Sequence, residues 1–316
     1  MTTPAPQTQF QPGAGRAAPS LLAPLLKTNG FDLAFNMLNI GALPLKGAAE
    51  AYWQLLDDFP ASSLSGVELD PTLCEELNRH AAARVRYYAG AIGKTEERRP
   101  LFKTAHSMCT SLYRPDERYA DLFHDLEDAR LKSVGETATV SLDRFVTDHG
   151  IGEVDFMKID VQGAELDVFQ GGANALRHVL FIVCEVEFVP IYERQPLFGD
   201  VDAWLRARGM TFHKFLGMGG RVMKPLAAQG STQYPVQFMW SDAVFVRDYF
   251  ALDALNGEQL LKLAVLFDIY DSKDAALHVL RRYDATQGDD LGDIYLSHLH
   301  AGGSWSVVPP GHAGKT

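Results

Sequence analysis

The stretch Val154–Gly172, VDFMKIDVQGAELDVFQGG, decides the reading of the fold. Its first six residues, Val154–Ile159, make a run of strand length, and the run ends on Asp160 rather than on a neutral turn residue. Gln162-Gly163 then turns the chain into a segment that reads as a helix and carries Glu165. Side chains alternate faces along a strand, so Lys158 and Asp160 share a face and Ile159 opposes them. In open α/β sheets ligands bind beyond the carboxyl ends of the strands, which is where Asp160 emerges. Gly163 permits close packing where the chain enters the helix. A helix N-terminus that favours negative charge accounts for Glu165. It accounts poorly for Lys158, Asp160 and Gln162 together.

Outward from this stretch, strand-like and helix-like runs alternate. Strands are predicted at 33–40, 64–69, 85–89, 154–159 and 180–186, with helices best signalled at 46–58 and 71–83. Asp70 is placed as the N-cap of the second helix and Pro71 as its first residue. Near-continuous apolar strands separated by helices imply a parallel sheet covered on both faces. Two later strands, 211–216 and 243–247, lack a long helix between them and read as an antiparallel pair at the edge. The expected fold is α/β and Rossmann-like, seven-stranded and mostly parallel. Amphipathic helices at 257–270 and 272–283 follow. They suit a helical cap or an association surface in a homo-oligomer, with packing on the core the favoured reading. The expected organisation is a disordered tail at 1–20, a Rossmann-like domain at 21–250, a helical extension at 251–300 and a flexible tail at 301–316.

The chain has 316 residues, 47% hydrophobic and 22% charged, which suits a soluble globular protein with a full core. A formal net charge of −11 argues against a nucleic-acid backbone or an anionic membrane as main partner. No apolar run approaches a membrane span, and the N-terminus lacks a secretion pattern. Cys74, Cys109 and Cys184 share no metal-ligand spacing, and a reducing cytoplasm is the expected location.

Candidate site residues follow each strand. Gly41 in NIGALPLKG lies where a backbone would approach a ligand, although no G-x-G-x-x-G is present. Glu68 ends the second strand, well placed to accept hydrogen bonds from ribose hydroxyls, with Asp70 beside it as a cap. Gly90–Gly93, with Ala91, offers small residues against which an adenine ring could lie flat. After the fifth strand, Glu185 and Glu187 fall on one face if the strand persists.

With its flanks, TVSLDRF (139–145) and the run from Glu185 to Phe215, the opening stretch resembles the signature of the FkbM-type methyltransferases, which use S-adenosylmethionine. The resemblance covers roughly Leu33–Asp248. It implies a class I methyltransferase fold and methyl transfer to oxygen, commonly a hydroxyl of a sugar or polyketide. It further implies that Gly41 matches the first glycine of the cofactor loop and Glu68 the ribose-binding acid. Asp160, with Gln162 and Glu165, matches the motif near the methyl group, and Ser111 in CTSLYRP (109–115) matches a family serine. One departure concerns the loop: the family pattern D-x-G-A-N-x-G is here Asn39-Ile-Gly-Ala-Leu-Pro-Leu, so Asn39, Leu43 and Leu45 replace expected residues. Either cofactor binding is rebuilt there, with Gly47, or it is weakened.

The function expected is therefore O-methylation of a hydroxyl on a sugar, polysaccharide precursor or similar small-molecule or glycan acceptor. Catalytic candidates are Asp160 as base or orienting group and His213 as the alternative base. Asn39, Gly41, Glu68, Ala91, Asp160 and Gln162 are expected at the cofactor, and Ser111, Glu165, Glu185 and Glu187 at the acceptor. Asp160, Glu185 and Glu187 could serve as oxygen ligands, but no spacing demands a metal. Two competing readings are a glycosyltransferase using a nucleotide-sugar, suggested by Asp200-Val-Asp202, and a non-catalytic binding module. The Asp200 segment reads better as a capped helix start.

Overall fold

The computed structural model describes residues 19–42, 50–303 and 305–306. Leu43, Leu45 and Gly47 of the departing loop, and most of both expected tails, lie outside the described residues. Of the expected N-terminal tail, Ser20 is described and packed: its hydroxyl donates to Asp268 at 2.7 Å.

The strands are β1 (Asn36–Ile40), β2 (Ser63–Glu68), β3 (Val85–Ala89), β4 (Ala91–Gly93), β5 (Glu97–Thr104), β6 (Leu131–Ser141), β7 (Phe156–Ile159), β8 (Phe181–Glu187), β9 (Met210–Phe215), β10 (Gly219–Arg221) and β11 (Gln237–Arg247). The main sheet runs β3-β2-β1-β7-β8-β11, with β9 and β10 both paired to β11. The first five strands in that order are mutually parallel, and β11 is antiparallel to β8. This is the class I Rossmann-like methyltransferase arrangement expected, with one difference at its edge. β11 starts at Gln237, six residues before the predicted strand, and the added length pairs with β10. The sheet therefore has eight strands, not seven.

The helices are α1 (Leu22–Thr28), α2 (Gln54–Asp58), α3 (Pro71–His80), α4 (Glu117–Leu122), α5 (Leu142–Asp148), α6 (Glu165–Gln170), α7 (Phe198–Arg206), α8 (Gly257–Ile269), α9 (Lys273–Gln287) and α10 (Leu291–Ala301). Asp70 caps α3 by accepting from the Thr72 and Leu73 amides, and Pro71 opens the helix as its sequence position required. Alternation along the strands feeds two cores. Met37, Phe156, Phe181, Val183 and Val244 face α1, α8, α9 and α10, while Leu38, Met157, Ile159, Ile182 and Phe245 face the layer of α5, α6 and α7. Helix α8 is buried along most of its length, and the C-terminal helices cover the apolar part of one face of the sheet. Buried ion pairs fasten this layer: Lys262 to Asp155 at 3.1 Å and Lys273 to Asp268 at 2.7 Å.

A second, three-stranded sheet, β4-β6-β5, was not anticipated from the sequence. Between β5 and β6 the chain leaves this sheet for residues 105–130, which return over the carboxyl edge of the main sheet.

Candidate active site

On the face shared with the C-terminal helices, each central strand changes character near its carboxyl end. Along β1 the inward series passes from Met37 to Asn39, and along β7 from Phe156 to Lys158 and on to Asp160. Along β8 it passes from Val183 to Glu185 and Glu187. β11 runs the other way, so Asp242 precedes Val244, and register places Asp242 opposite Glu185. Strand alternation thus gathers a polar cluster directly above the apolar core.

The cluster lines a cavity of about 640 Å³ at the carboxyl edge of the sheet. Asn39, Gly41, Glu68, Ala91, Ser111, Asp160, Gln162, Glu185 and Glu187 all line it. Its acidic lining also includes Glu50, Asp70, Asp125, Asp128 and Asp242, whereas Lys158 and Arg221 are the basic side chains among the described residues.

Gly41 has φ +81, and a Cβ there would fall 1.8 Å from the Asp160 carbonyl oxygen. Only glycine lets β1 and β7 meet this closely at their ends. Gln162 holds φ +57, a left-handed conformation that a bulky side chain adopts at a cost. Ser111 compensates, since its hydroxyl donates to the Gln162 carbonyl at 2.6 Å and accepts from the Tyr113 amide at 2.9 Å. The Gln162 amide nitrogen then donates to Asp160 Oδ1 at 2.8 Å and to Glu185 Oε2 at 2.5 Å. Tyr192, absent from the sequence-based candidates, sets the orientation of that amide: its hydroxyl lies 2.8 Å from Gln162 Oε1 and 3.1 Å from the Cys109 carbonyl.

Lys158 is buried and paired. Its ammonium sits 2.6 Å from Asp242, and the residue is only 5% exposed. Burial opposes its charge, but Asp242, Asp160 and Glu50 outweigh that and hold it well above the usual lysine range. Burial pushes the Glu185 and Glu187 carboxyls well above the usual range, and neighbouring carboxylates add to the effect. Glu50 is raised in the same way, by burial first. Glu68 accepts from the Leu69 and Asp70 amides at 2.8 and 3.3 Å. Burial raises its pKa, and these amides partly oppose the rise. Asn39 donates to the Tyr52 hydroxyl at 2.9 Å, while its buried Oδ1 has no partner among the described residues.

Two sequence-based candidates fall elsewhere. Glu165 does not line the cavity: it is 3% exposed and its carboxyl accepts from the Val161 and Gly163 amides at 2.8 and 3.3 Å, bracing the turn from beneath. Burial pushes that carboxyl up to about 7. His213 is also outside the cavity. It lies against the C-terminal helices, hydrogen-bonded to the Tyr249 hydroxyl and to Ser272 at 2.7 Å, and burial lowers its pKa to about 4. A histidine enclosed in this way is a packing residue and not the alternative base. Ser111 reaches the lining, but its one O–H is engaged by Gln162, so its observed contact is with the turn. Asp200 caps α7 by accepting from the Leu197 amide at 2.9 Å, and Asp202 pairs with Arg206. Neither aspartate of that D-x-D lines the cavity.

Residues missed by the sequence reading come from 105–130 and from the strand pair β10–β11. Arg221 lies over the Trp240 ring, 4.9 Å from its centroid, and donates to the Asp125 and Gly220 carbonyls. Among the described residues no group of three or more His, Cys, Asp or Glu is placed to hold a metal ion, and no helix is long and apolar enough to cross a membrane.

Residues 67–212 match the family model of the methyltransferase FkbM domain. No curated protein sequence matches the chain. Among solved structures, the chain is similar to the magnesium protoporphyrin IX methyltransferase of Synechocystis with bound SAM, at 10% identity over 72% of this chain and 76% of that one, TM-score 0.34. It is also similar to precorrin-6y C5,15-methyltransferase of Geobacter metallireducens, at 11% identity over 76% and 94%, TM-score 0.32. A third is a SAM-dependent methyltransferase of Aquifex aeolicus, at 10% identity over 73% and 94%, TM-score 0.29.

Proposed function

The chain carries a methyltransferase FkbM domain, and from this premise we propose that it transfers a methyl group from S-adenosylmethionine to a hydroxyl of a sugar or similarly polyhydroxylated acceptor. The observation that carries the reading is the Asp160–Gln162–Glu185 unit, set in an acid-rich cavity at the carboxyl edge of the sheet.

The residues present fit this cofactor. Its sulfonium and ammonium groups are positive, matching a lining in which carboxylates far outnumber cations. The unpartnered Asn39 Oδ1 is a buried acceptor suited to an ammonium hydrogen. Glu68 ends β2 at the cavity wall, the position from which an acid accepts ribose hydroxyls. When bound, S-adenosylmethionine supplies a methyl carbon on a positively charged sulfur, which keeps the C–S bonding pair as the carbon departs.

The chain's part is to hold the acceptor oxygen in line and to take one proton. As the O–CH₃ bond forms, the hydroxyl proton passes to Asp160, whose second carboxylate position remains fixed by the Gln162 amide. No metal is required by this scheme. A nucleotide-sugar would bring two phosphates against the same carboxylates, which disfavours the glycosyltransferase reading.

The test combines calorimetry with S-adenosylmethionine and mass-spectrometric detection of methyl transfer to a panel of glycan and small-molecule acceptors. Binding and transfer are expected, and Asp160→Asn should lower turnover by about 10²–10⁴ even at saturating cofactor. Binding of nucleotide-sugars in preference to S-adenosylmethionine would overturn the proposal. Cofactor binding with no transfer to any acceptor would favour a non-catalytic module.

A further inference from the structure

One carboxylate suffices to take one proton, yet Asp160, Glu185 and Glu187 converge on one wall of the cavity. Asp160 leaves the end of β7, and the two glutamates project from one face of the neighbouring strand β8. The Gln162 amide ties Asp160 to Glu185, and Tyr192 keeps that amide from presenting its oxygen to them. Among the described residues, neither of the two cations lining the cavity is hydrogen-bonded to these three carboxyls: Arg221 lies over the Trp240 ring and donates to the Asp125 carbonyl. Lys158 of β7 is paired with Asp242 of β11 at 2.6 Å. Glu50 and, beneath the turn, Glu165 add further carboxyls, while Tyr192, Cys109 and Gln195 are uncharged neighbours.

We propose that this wall is a charge-selective seat for the sulfonium of S-adenosylmethionine, binding it in exchange for a proton and discriminating against the demethylated product, S-adenosylhomocysteine, whose sulfur is neutral. The inference rests on the cofactor reading above. Without a cation, close carboxyls in a buried cavity cannot all ionise, and burial favours their protonated forms. A positive sulfur restores ionisation and expels a proton, whereas a thioether offers no such exchange. Both ligands share the adenosine and amino-acid contacts, so only the sulfur separates them. The consequence is functional: transfer of the methyl group removes the charge that held the cofactor, and the product leaves more readily than the substrate.

Calorimetry on the full chain at neutral pH, in two buffers of different ionisation enthalpy, tests this with S-adenosylmethionine and S-adenosylhomocysteine as the probes. S-adenosylmethionine should bind tighter by about tenfold or more, a modest share of the attraction between close charges in a protein. Its heat should depend on buffer in the sense of proton release, and that of the product should not. Glu187→Gln keeps shape and removes charge. It should weaken S-adenosylmethionine, leave S-adenosylhomocysteine unchanged and reduce proton release; Glu185→Gln provides the same comparison from the other glutamate. A wild-type protein that binds the product as tightly as the substrate overturns the inference, as does equal loss of both ligands in the two variants. Failure of the wild type to bind either ligand would instead overturn the methyltransferase reading itself.

Discussion

Gly41→Ala is the most direct probe of how the cavity floor is built. The new Cβ would start 1.8 Å from the Asp160 carbonyl oxygen, a backbone atom that cannot rotate away. Relieving the contact means parting the ends of β1 and β7, which are joined there by the Asp160 amide donating to the Ile40 carbonyl at 2.9 Å. The neighbouring Gly41 amide donates to Val67 at 2.9 Å, so the strain reaches β2 as well. The backbone at φ +81 adds a separate penalty of about 1–2 kcal/mol for an L-residue. Forcing an extra methyl into a packed site costs a further ~1–3 kcal/mol. Together these predict a loss of about 2–5 kcal/mol, read as a lower denaturant midpoint with an unchanged slope. The shift should carry Asp160 with it and weaken S-adenosylmethionine binding. Gly199→Ala is the control: nothing lies within 4 Å of its added Cβ, near the start of α7, so stability should hold or rise slightly. Gly41→Ala with wild-type stability and wild-type cofactor affinity would refute the reasoning.

Three further outcomes follow from contacts already described. Ser111→Ala leaves the Gln162 carbonyl and the Tyr113 amide without their partner, so stability should fall by about 1–3 kcal/mol in chemical denaturation. Glu68→Ala should weaken S-adenosylmethionine by about 1–3 kcal/mol, measured by calorimetry, while the melting temperature changes little; wild-type affinity would remove Glu68 from the cofactor site. His213 has a folded pKa depressed to about 4 by burial, so it contributes stability that is present above its unfolded pKa and is lost as pH falls through the folded one. Allowing for its partial exposure, wild type should lose about 1–2 kcal/mol from this group between pH ~6.5 and ~4, and His213→Gln should show a flatter decline. Equal slopes in the two proteins would show that the ring titrates as freely when folded as when unfolded.

The parallel core was legible because its signal is local. Strand β3 is found at its predicted residues, and β2, β7 and β8 within two, since each is an apolar run bounded by turn or cap chemistry. The second sheet was not, for a physical reason: β6, LKSVGETATVS, has a single buried position, so no apolar run marks it. Within the site, Asp160, Gln162, Glu185 and Glu187 were legible as residues at strand ends. Asp242 was hidden by a boundary. Starting the last strand at Ala243 excludes it, whereas its place two residues before Val244 puts it on the same face as the core. Tyr192 and Cys109 belong to connections, and Arg221 to the three-residue strand β10, whose paths over the sheet depend on long-range packing that no short-range pattern encodes. His213 misled because a polar residue in a short strand looks alike whether it faces a ligand or a neighbouring helix.

The acid that ends β7 is explained by the whole row rather than by its own turn. On the face shared with the C-terminal helices, apolar side chains stop at one level across β1, β7, β8 and β11, and polar ones begin at the next. The helices cover the lower level, so the upper one would be exposed to water without residues 105–130 and β10–β11 closing over it. Enclosed in this way, a row of carboxyls with one paired lysine is electrostatically unfavourable in the empty protein. Gln162 divides its two hydrogens between two of those acids, and Ser111 and Gly163 make the strained turn that presents it affordable. Such an arrangement is worth retaining where something positive regularly occupies the space. A capping acid would need none of these supports, and Glu165, at the start of α6, braces the turn from underneath instead.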